Sequence, residues 1–396
     1  MKFQLKMKLL LFILLFCFVS SSFHMIHPHQ GTASSNQTIK NIALILDSPE
    51  FYDSSFINDV LNGFDLVNQT YSMNYTVYAL TNYSRPPITY YYNETSTNHT
   101  ALANNLAQTG QYDLIVLMGY ELRREKRENY LPNRYPDTKF LFYDFSGQVP
   151  SHPGGTMGEN AAVFSFNESQ VGFIAGTLAA EVISPQKIAM ICTYRNSWPS
   201  DASDPKPDPR SWQLIAGFQS GVLRSTPEVE LLIYYIDYFW ENWTDSDKAK
   251  ELAEDLDKQE VDLIFSALQN NNTLGILEGF TETVVTVDSN RSIIDGTVPS
   301  VVKNNTQAIQ TLFERFNQSE DNFIPGSHTF GLKENVFYPS GWGNVTEIME
   351  EIYTDVVINN IVIPTDIKHA ENTPGFEIFA LLSIIVYISI RKKMKE

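Results

Sequence analysis

The chain reads as an α/β protein of two doubly wound lobes, each a parallel sheet covered by helices, with a ligand cleft between them. Three observations predict this. Short apolar, β-branched runs alternate with helical patterns, the signature of buried parallel strands joined by helical crossovers. The alternation falls into two series on either side of a Gly-rich stretch at 154–158. The 396 residues, 43% hydrophobic and 13% aromatic, supply two cores at roughly 100–200 residues per domain and exclude a disordered or collagen-like chain.

In the first series, Asn41–Leu46 (NIALIL) predicts a buried strand ending at Asp47. Phe56, Val60, Leu61, Phe64 and Val67 recur at helical spacing and predict a helix from Asp53 to Val67. Tyr75–Leu80 predicts a strand, and the Tyr-, Asn- and Pro-rich residues 81–99 a surface excursion. A helix at Ala101–Ala107, a strand at Tyr112–Met118 before Gly119 and Tyr120, a charged helix at Glu121–Tyr130 and a strand at Lys139–Tyr143 ending at Asp144 complete it. The second series opens with a strand at Ala161–Phe166 and a helix at Glu168–Ile183 rich in small residues. A strand at Lys187–Cys192 leads into a Pro- and Asp-rich loop at 195–209. Then come a helix at Trp212–Leu223, strands at Glu230–Ile236, Asp262–Ser266 and Val284–Val287, and helices at Asp245–Lys258 and about 273–280. The expected lobes are 36–158, with a return segment at about 289–327, and 159–288, with a return segment at about 328–364.

The ends predict location. Lys2, Lys6 and Lys8, the apolar Leu9–Val19 and the small residues that follow form a secretory leader, assigned to 1–33. After a linker at 365–376, residues 377–396 hold an apolar run, Ile378 to Ile390, closed by Arg391-Lys392-Lys393. Such a segment stops translocation and leaves its basic end in the cytoplasm, so the body is expected outside the cell, tethered to the membrane by its C-terminal segment. Thr373-Pro374-Gly375-Phe376 before that run resembles the archaeal PGF-type sorting signal. Asn-X-Ser/Thr triplets occur at 13 of the 30 asparagines, six of them between Asn36 and Asn98, which predicts an N-glycosylated exterior. Of the two cysteines, Cys17 lies in the leader, leaving Cys192 without an internal disulfide partner.

The formal charge is -18, and residues 36–370 carry 21 basic against 43 acidic side chains. Such a surface repels phosphate backbones, which excludes nucleic acid as a partner. No Gly-X-Ser-X-Gly, Walker A, His-Glu-X-X-His or Gly-X-Gly-X-X-Gly motif is present, so neither an enzyme nor a cofactor is predicted. The histidines of the body do not pair at metal-ligand spacing, and no metal site is predicted.

In open α/β sheets ligands sit beyond the carboxyl ends of the strands. That edge collects Asp47, Gly119, Tyr120, Asp144, Tyr194, Gln269 and Asp288. Three aspartates there suit hydroxyl or amine recognition, although each serves equally well as a turn or helix-cap residue. Phe56, Tyr120 and Trp212 offer stacking faces. The alternative for Phe56 is a core position on its helical stripe, and for Trp212 a helix-packing one.

Several stretches resemble one family in order and spacing. They are Asp47 with Asp53-Ser54-Ser55-Phe56; Tyr112-Asp113-Leu114-Ile115 before Gly119-Tyr120; Tyr135-Pro136-Asp137-Thr138-Lys139-Phe140 before Asp144; and Phe166 before Gly172-Phe173-Ile174-Ala175-Gly176 and Ala179-Ala180. Further on are Gly217-Phe218, Gly221-Val222, Val287-Asp288, Ser300-Val301-Val302-Lys303 and Ile361-Val362-Ile363-Pro364. From about 40 to 364 the chain resembles the basic membrane protein family, the PnrA-like substrate-binding proteins of ABC importers. The resemblance implies a type I periplasmic-binding-protein fold, capture of a small ligand that is often a purine nucleoside, and an ABC permease as partner. It also implies ligand contacts from Asp47, Phe56, Asp144, Asp288 and Lys303. The chain departs from the family pattern at Ile57, Leu214, Gln269–Asn272 and Asp288-Ser289-Asn290-Arg291, which leaves another polar solute (sugar, amino acid, vitamin) open as ligand and a ligand-sensing surface receptor open as role.

Overall fold

The computed structural model describes residues 39–46, 54–79, 99–118, 131–144, 158–195, 206–207, 209–237, 246–268, 271–288, 298–319 and 321–365. The leader, the 81–98 excursion, the charged run 121–130, most of the 195–209 loop and the C-terminal apolar segment lie outside them.

The first sheet has six strands in the order β12-β5-β4-β3-β1-β2. These are β1 Asn41–Leu46, β2 Asn74–Ala79, β3 Leu114–Met118, β4 Lys139–Tyr143, β5 Ala161–Phe166 and β12 Gly326–Phe330, and every pairing among them is parallel. The second sheet has seven strands. Its path is β13-β11-β10-β9-β6-β7, with β8 also paired to β6. They are β6 Lys187–Arg195, β7 Lys206–Pro207, β8 Glu230–Asp237, β9 Leu263–Ser266, β10 Thr283–Asp288, β11 Ser300–Lys303 and β13 Phe337–Ser340. Only β11–β13 and β6–β7 run antiparallel among its described pairs. Central strands such as β3 and β9 are buried at every position, as strands covered on both faces must be.

The connecting helices are α1 Ser54–Tyr71, α2 His99–Thr109, the short α3 Leu131–Arg134, α4 Glu168–Leu178, α5 Pro209–Ser225, α6 Ser246–Lys258, α7 Asn271–Gly279, α8 Asn305–Gln318 and α9 Thr346–Tyr353. The run expected to be one helix from Glu168 to Ile183 is α-helical to Leu178 and then widens into a π turn over Ala179–Ile183, closed by Ser184 in the left-handed region. Helices cover both faces of both sheets. One cluster holds α2 against the first sheet through Leu102, Ala103 and Leu106, and another holds α6 and α7 against the second through Ala249, Leu256 and Ile276. The largest core is shared by the inner faces of both lobes, running from Phe56, Phe64 and Phe313 to Phe173, Phe218 and Phe265. Cys192 is buried in β6.

Strand pairing corrects the expected lobe limits. β5 and all of β12 join the first sheet, and β11 joins the second, the reverse of the expected division at 159 and in the return segments. The chain therefore passes between lobes at Asn167, at Asn304 and between Phe330 and Phe337. These passages are bonded together. Asn167 N–H donates to Phe330 O at 2.8 Å and Asn304 N–H to Val336 O at 2.8 Å. Leu332 N–H donates to Gln170 Oε1 at 2.8 Å. Asn167 and Asn304 also cap the helices they begin, accepting from the backbone N–H of Gln170 and Gln307, so one of the unpaired donors of each helix start is satisfied where the chain changes lobe.

Candidate functional site between the strand ends

The carboxyl ends of the two sheets meet. Tyr143, the last residue of β4, donates its hydroxyl to Asn305 Oδ1 at 2.9 Å, and Asn305 Nδ2 donates to the Lys303 carbonyl at 3.3 Å. The Phe166 ring at the end of β5 lies 6.0 Å from that of Phe337. Asp59 of α1 accepts from the backbone N–H of Asn305 at 2.6 Å and of Thr306 at 3.2 Å, seating the start of α8 on the first lobe.

Within this junction four charged side chains form a buried, alternating chain. Lys303 Nζ lies 2.7 Å from Glu168 Oε1; the same oxygen is 2.9 Å from Arg210 Nε; Arg210 Nη1 donates to Asp144 Oδ2 at 3.2 Å. None of the four exposes more than 8% of its surface, and Lys303 exposes 1%. The ammonium of Lys303 also lies 5.1 Å from the centre of the Phe166 ring. Two cations and two anions sum to zero, which is the condition for keeping charge out of water at tolerable cost. The chain ties β4 of the first lobe to α5 and β11 of the second. Just beyond it, burial and the nearby Asp59 carboxylate push the Tyr338 phenol above its ordinary pKa.

The expected site residues divide as follows. Asp144 and Lys303 are brought to this junction, but each is held by a partner. Asp144 adopts a left-handed φ of 52°, which aspartate tolerates better than most residues. Lys303 balances Glu168 rather than the strand-end aspartates. Asp288 is the last residue of β10, in register with Val302, one residue before Lys303 on the neighbouring strand. Phe56 is 4% exposed and packs in the shared core. Trp212, in the first turn of α5, is half-buried against that core. Asp47 and Tyr120 lie outside the described residues. Sequence reasoning missed Glu168 and Arg210. Glu168 had a usable signal, since it stands two residues past a strand end, whereas Arg210 sat at the border of an irregular loop. Among the described residues, no three His, Cys, Asp or Glu side chains are grouped to hold a metal ion.

Solved structures of the same architecture resemble the chain. An ABC transporter solute-binding protein from Aeropyrum pernix K1 aligns at a TM-score of 0.57 and 16% identity, over 83% of this chain and 94% of its own. A transcriptional activator of the comK gene from Bacillus halodurans aligns at 0.57 and 18%, over 80% and 98%. A periplasmic solute-binding protein from Actinobacillus succinogenes 130z with bound D-allose aligns at 0.53 and 11%, over 79% and 99%. At these identities they establish the type I periplasmic-binding-protein fold alone, and one fold serves both transport and regulation. No curated protein matches the chain. The model of one family, the PnrA-like substrate-binding proteins of ABC transporters, matches residues 39–355. Those residues take in both sheets and the junction between them, and the chain belongs to that family.

Proposed function

We propose that the protein captures a nucleoside-like small molecule between its lobes, outside the cell, and delivers it to an ABC permease. The observation that carries this reading is the meeting of the carboxyl ends of two parallel sheets, the edge at which such sheets take ligands. Asp47 and Asp288 receive the polar groups of the ligand. Tyr120 and Trp212 stack on its ring, an interaction of about 1–3 kcal/mol per face. Asp144 and Lys303, already paired, form the charged floor, and Phe56 supports it from the core.

A thermal-shift screen of nucleosides, bases, sugars and amino acids tests the reading. A nucleoside at 100 times its Kd is expected to add about 2.7 kcal/mol of stability; a response to sugars or amino acids alone overturns it. In the same assay Asp288→Ala is expected to weaken binding roughly 5- to 150-fold, as loss of a buried polar partner worth about 1–3 kcal/mol does, with an unchanged melting temperature in the absence of ligand. Unaltered affinity would remove Asp288 from the site.

The C-terminal apolar run and its basic cluster support tethering of this receptor to the membrane. No helix among the described residues is long and apolar enough to cross one. Deletion of residues 374–396 is expected to release the protein into the medium; a truncated chain still sedimenting with membranes would transfer the anchor to the N-terminal segment.

A further inference from the structure

The fold separates the glycosylation triplets into two classes. Six of the asparagines at such triplets have described exposures: Asn68, Asn74, Asn317 and Asn344 are exposed, while Asn167 and Asn304 are half-buried. We infer that the four exposed asparagines carry N-linked glycans at the outer ends of the lobes, and that Asn167 and Asn304 stay bare. The inference rests on the extracellular location proposed above.

All four exposed positions lie away from the edge where the sheets meet. α1 and α8 run side by side in the same direction. Asp59 touches Asn305 and Thr306 near their starts, the Cβ that Gly63 lacks would fall 2.9 Å from Ile309 Cδ1, and the rings of Phe64 and Phe313 are 5.6 Å apart further along. α8 starts at the lobe junction, so the last turns of both helices, which bear Asn68 and Asn317, point to the opposite end of the lobe. Asn74 opens β2 opposite Asn41, the first residue of β1, at that same end. In the second lobe β13 runs back along β11, with Ser340 opposite Ser300, and Trp342 Nε1 donates to the Ser300 carbonyl at 3.0 Å. Asn344 therefore lies beside the starting end of β11.

Asn167 and Asn304 occupy the opposite edge. Each is the residue at which the chain changes lobe, and each side-chain oxygen caps a helix. Asn167 Oδ1 also accepts from the hydroxyl of Ser169, the third residue of its own triplet, at 2.8 Å. A glycan is bulky and strongly hydrated, and on either residue it would emerge beside the buried charge chain, where the lobes must approach one another. On Asn74 the same bulk is useful. Among the described strands β2 lies at the edge of its sheet, and a sugar at its first residue would shield that edge from pairing with another chain.

The test is site-resolved glycopeptide mass spectrometry on the full-length protein isolated from its native host. Glycan mass is expected on the peptides containing Asn68, Asn74, Asn317 and Asn344, and bare peptides for Asn167 and Asn304. Asn68→Gln and Asn317→Gln should each lower the intact mass by one glycan. Glycan on Asn167 or Asn304, or bare peptides at all four exposed positions, overturns the inference. Digestion of intact cells by an added protease reads export separately: a body cleaved from outside with all four positions bare refutes the siting alone, whereas a body protected until the cells are lysed refutes the extracellular reading as well.

Discussion

Glu168→Ala is expected to destabilise the protein by about 3–5 kcal/mol, the usual consequence of removing one partner from a buried ion pair. With roughly 2–4 °C of melting temperature per kcal/mol in a domain of this scale, the midpoint should fall by about 6–20 °C. The magnitude follows from position. A single oxygen, Glu168 Oε1, serves both Lys303 at 2.7 Å and Arg210 at 2.9 Å, and Glu168 itself is 1% exposed. Without that carboxylate, the ammonium of Lys303 loses a partner 2.7 Å away in a site where it is 1% exposed. A second substitution makes the account specific. Lys303→Met in a Glu168→Gln background removes both charges and should recover much of the loss, because replacing both members of a buried pair by groups of similar volume is often nearly neutral. Arg210 keeps Asp144 in that variant. Wild-type melting of Glu168→Ala in calorimetry, or no recovery in the double variant, would show that the junction does not depend on this charge balance.

Gly172→Ala carries the second large expectation, and its sign runs against helix propensity. Alanine ordinarily improves on glycine inside a helix by about 1 kcal/mol. Here α4 and α5 lie backbone to backbone. A Cβ on Gly172 would stand 2.0 Å from the Leu214 carbonyl oxygen, and one on Gly217 would stand 2.0 Å from that of Ser169. Gly176 and Gly221 meet Phe218 and Phe173 in the same way, at 2.1 and 2.4 Å. Main-chain atoms cannot swing aside as the end of a side chain can, so the helices must separate and loosen the core around Phe173 and Phe218. The net cost is expected to reach or exceed the 1–3 kcal/mol of ordinary overpacking. Denaturant unfolding of Gly172→Ala beside Gln69→Ala, an exposed position on α1 that should shift stability by less than about 0.5 kcal/mol, measures it. Equal midpoints would mean that the two helices do not pack this closely.

The same four glycines show how a sequence carries information it does not explain. Gly172, Gly176, Gly217 and Gly221 are visible as a recurrent small-residue spacing and contribute to the family resemblance, but the sequence does not say that the two stretches face each other. Element type and position were legible because they are local. Asn41–Leu46, Lys139–Tyr143 and Ala161–Phe166 are strands with the limits their apolar runs suggest, and the alternation with helices dictated parallel, doubly wound sheets. The strand-end rule likewise led to Asp144, and the family resemblance to Lys303. Sheet membership was not legible. An apolar run records that a strand is buried, not which edge accepts its hydrogen bonds, so only pairing placed β5 and β12 in the first sheet and β11 in the second. The charge chain was hidden for the same reason. Its links join residues 66 and 135 positions apart, and whether a carboxylate such as Asp144 stands ready for a ligand or is neutralised by an arginine depends on which elements converge in space. Local periodicity decides burial, whereas the identity of the buried partner belongs to the tertiary structure.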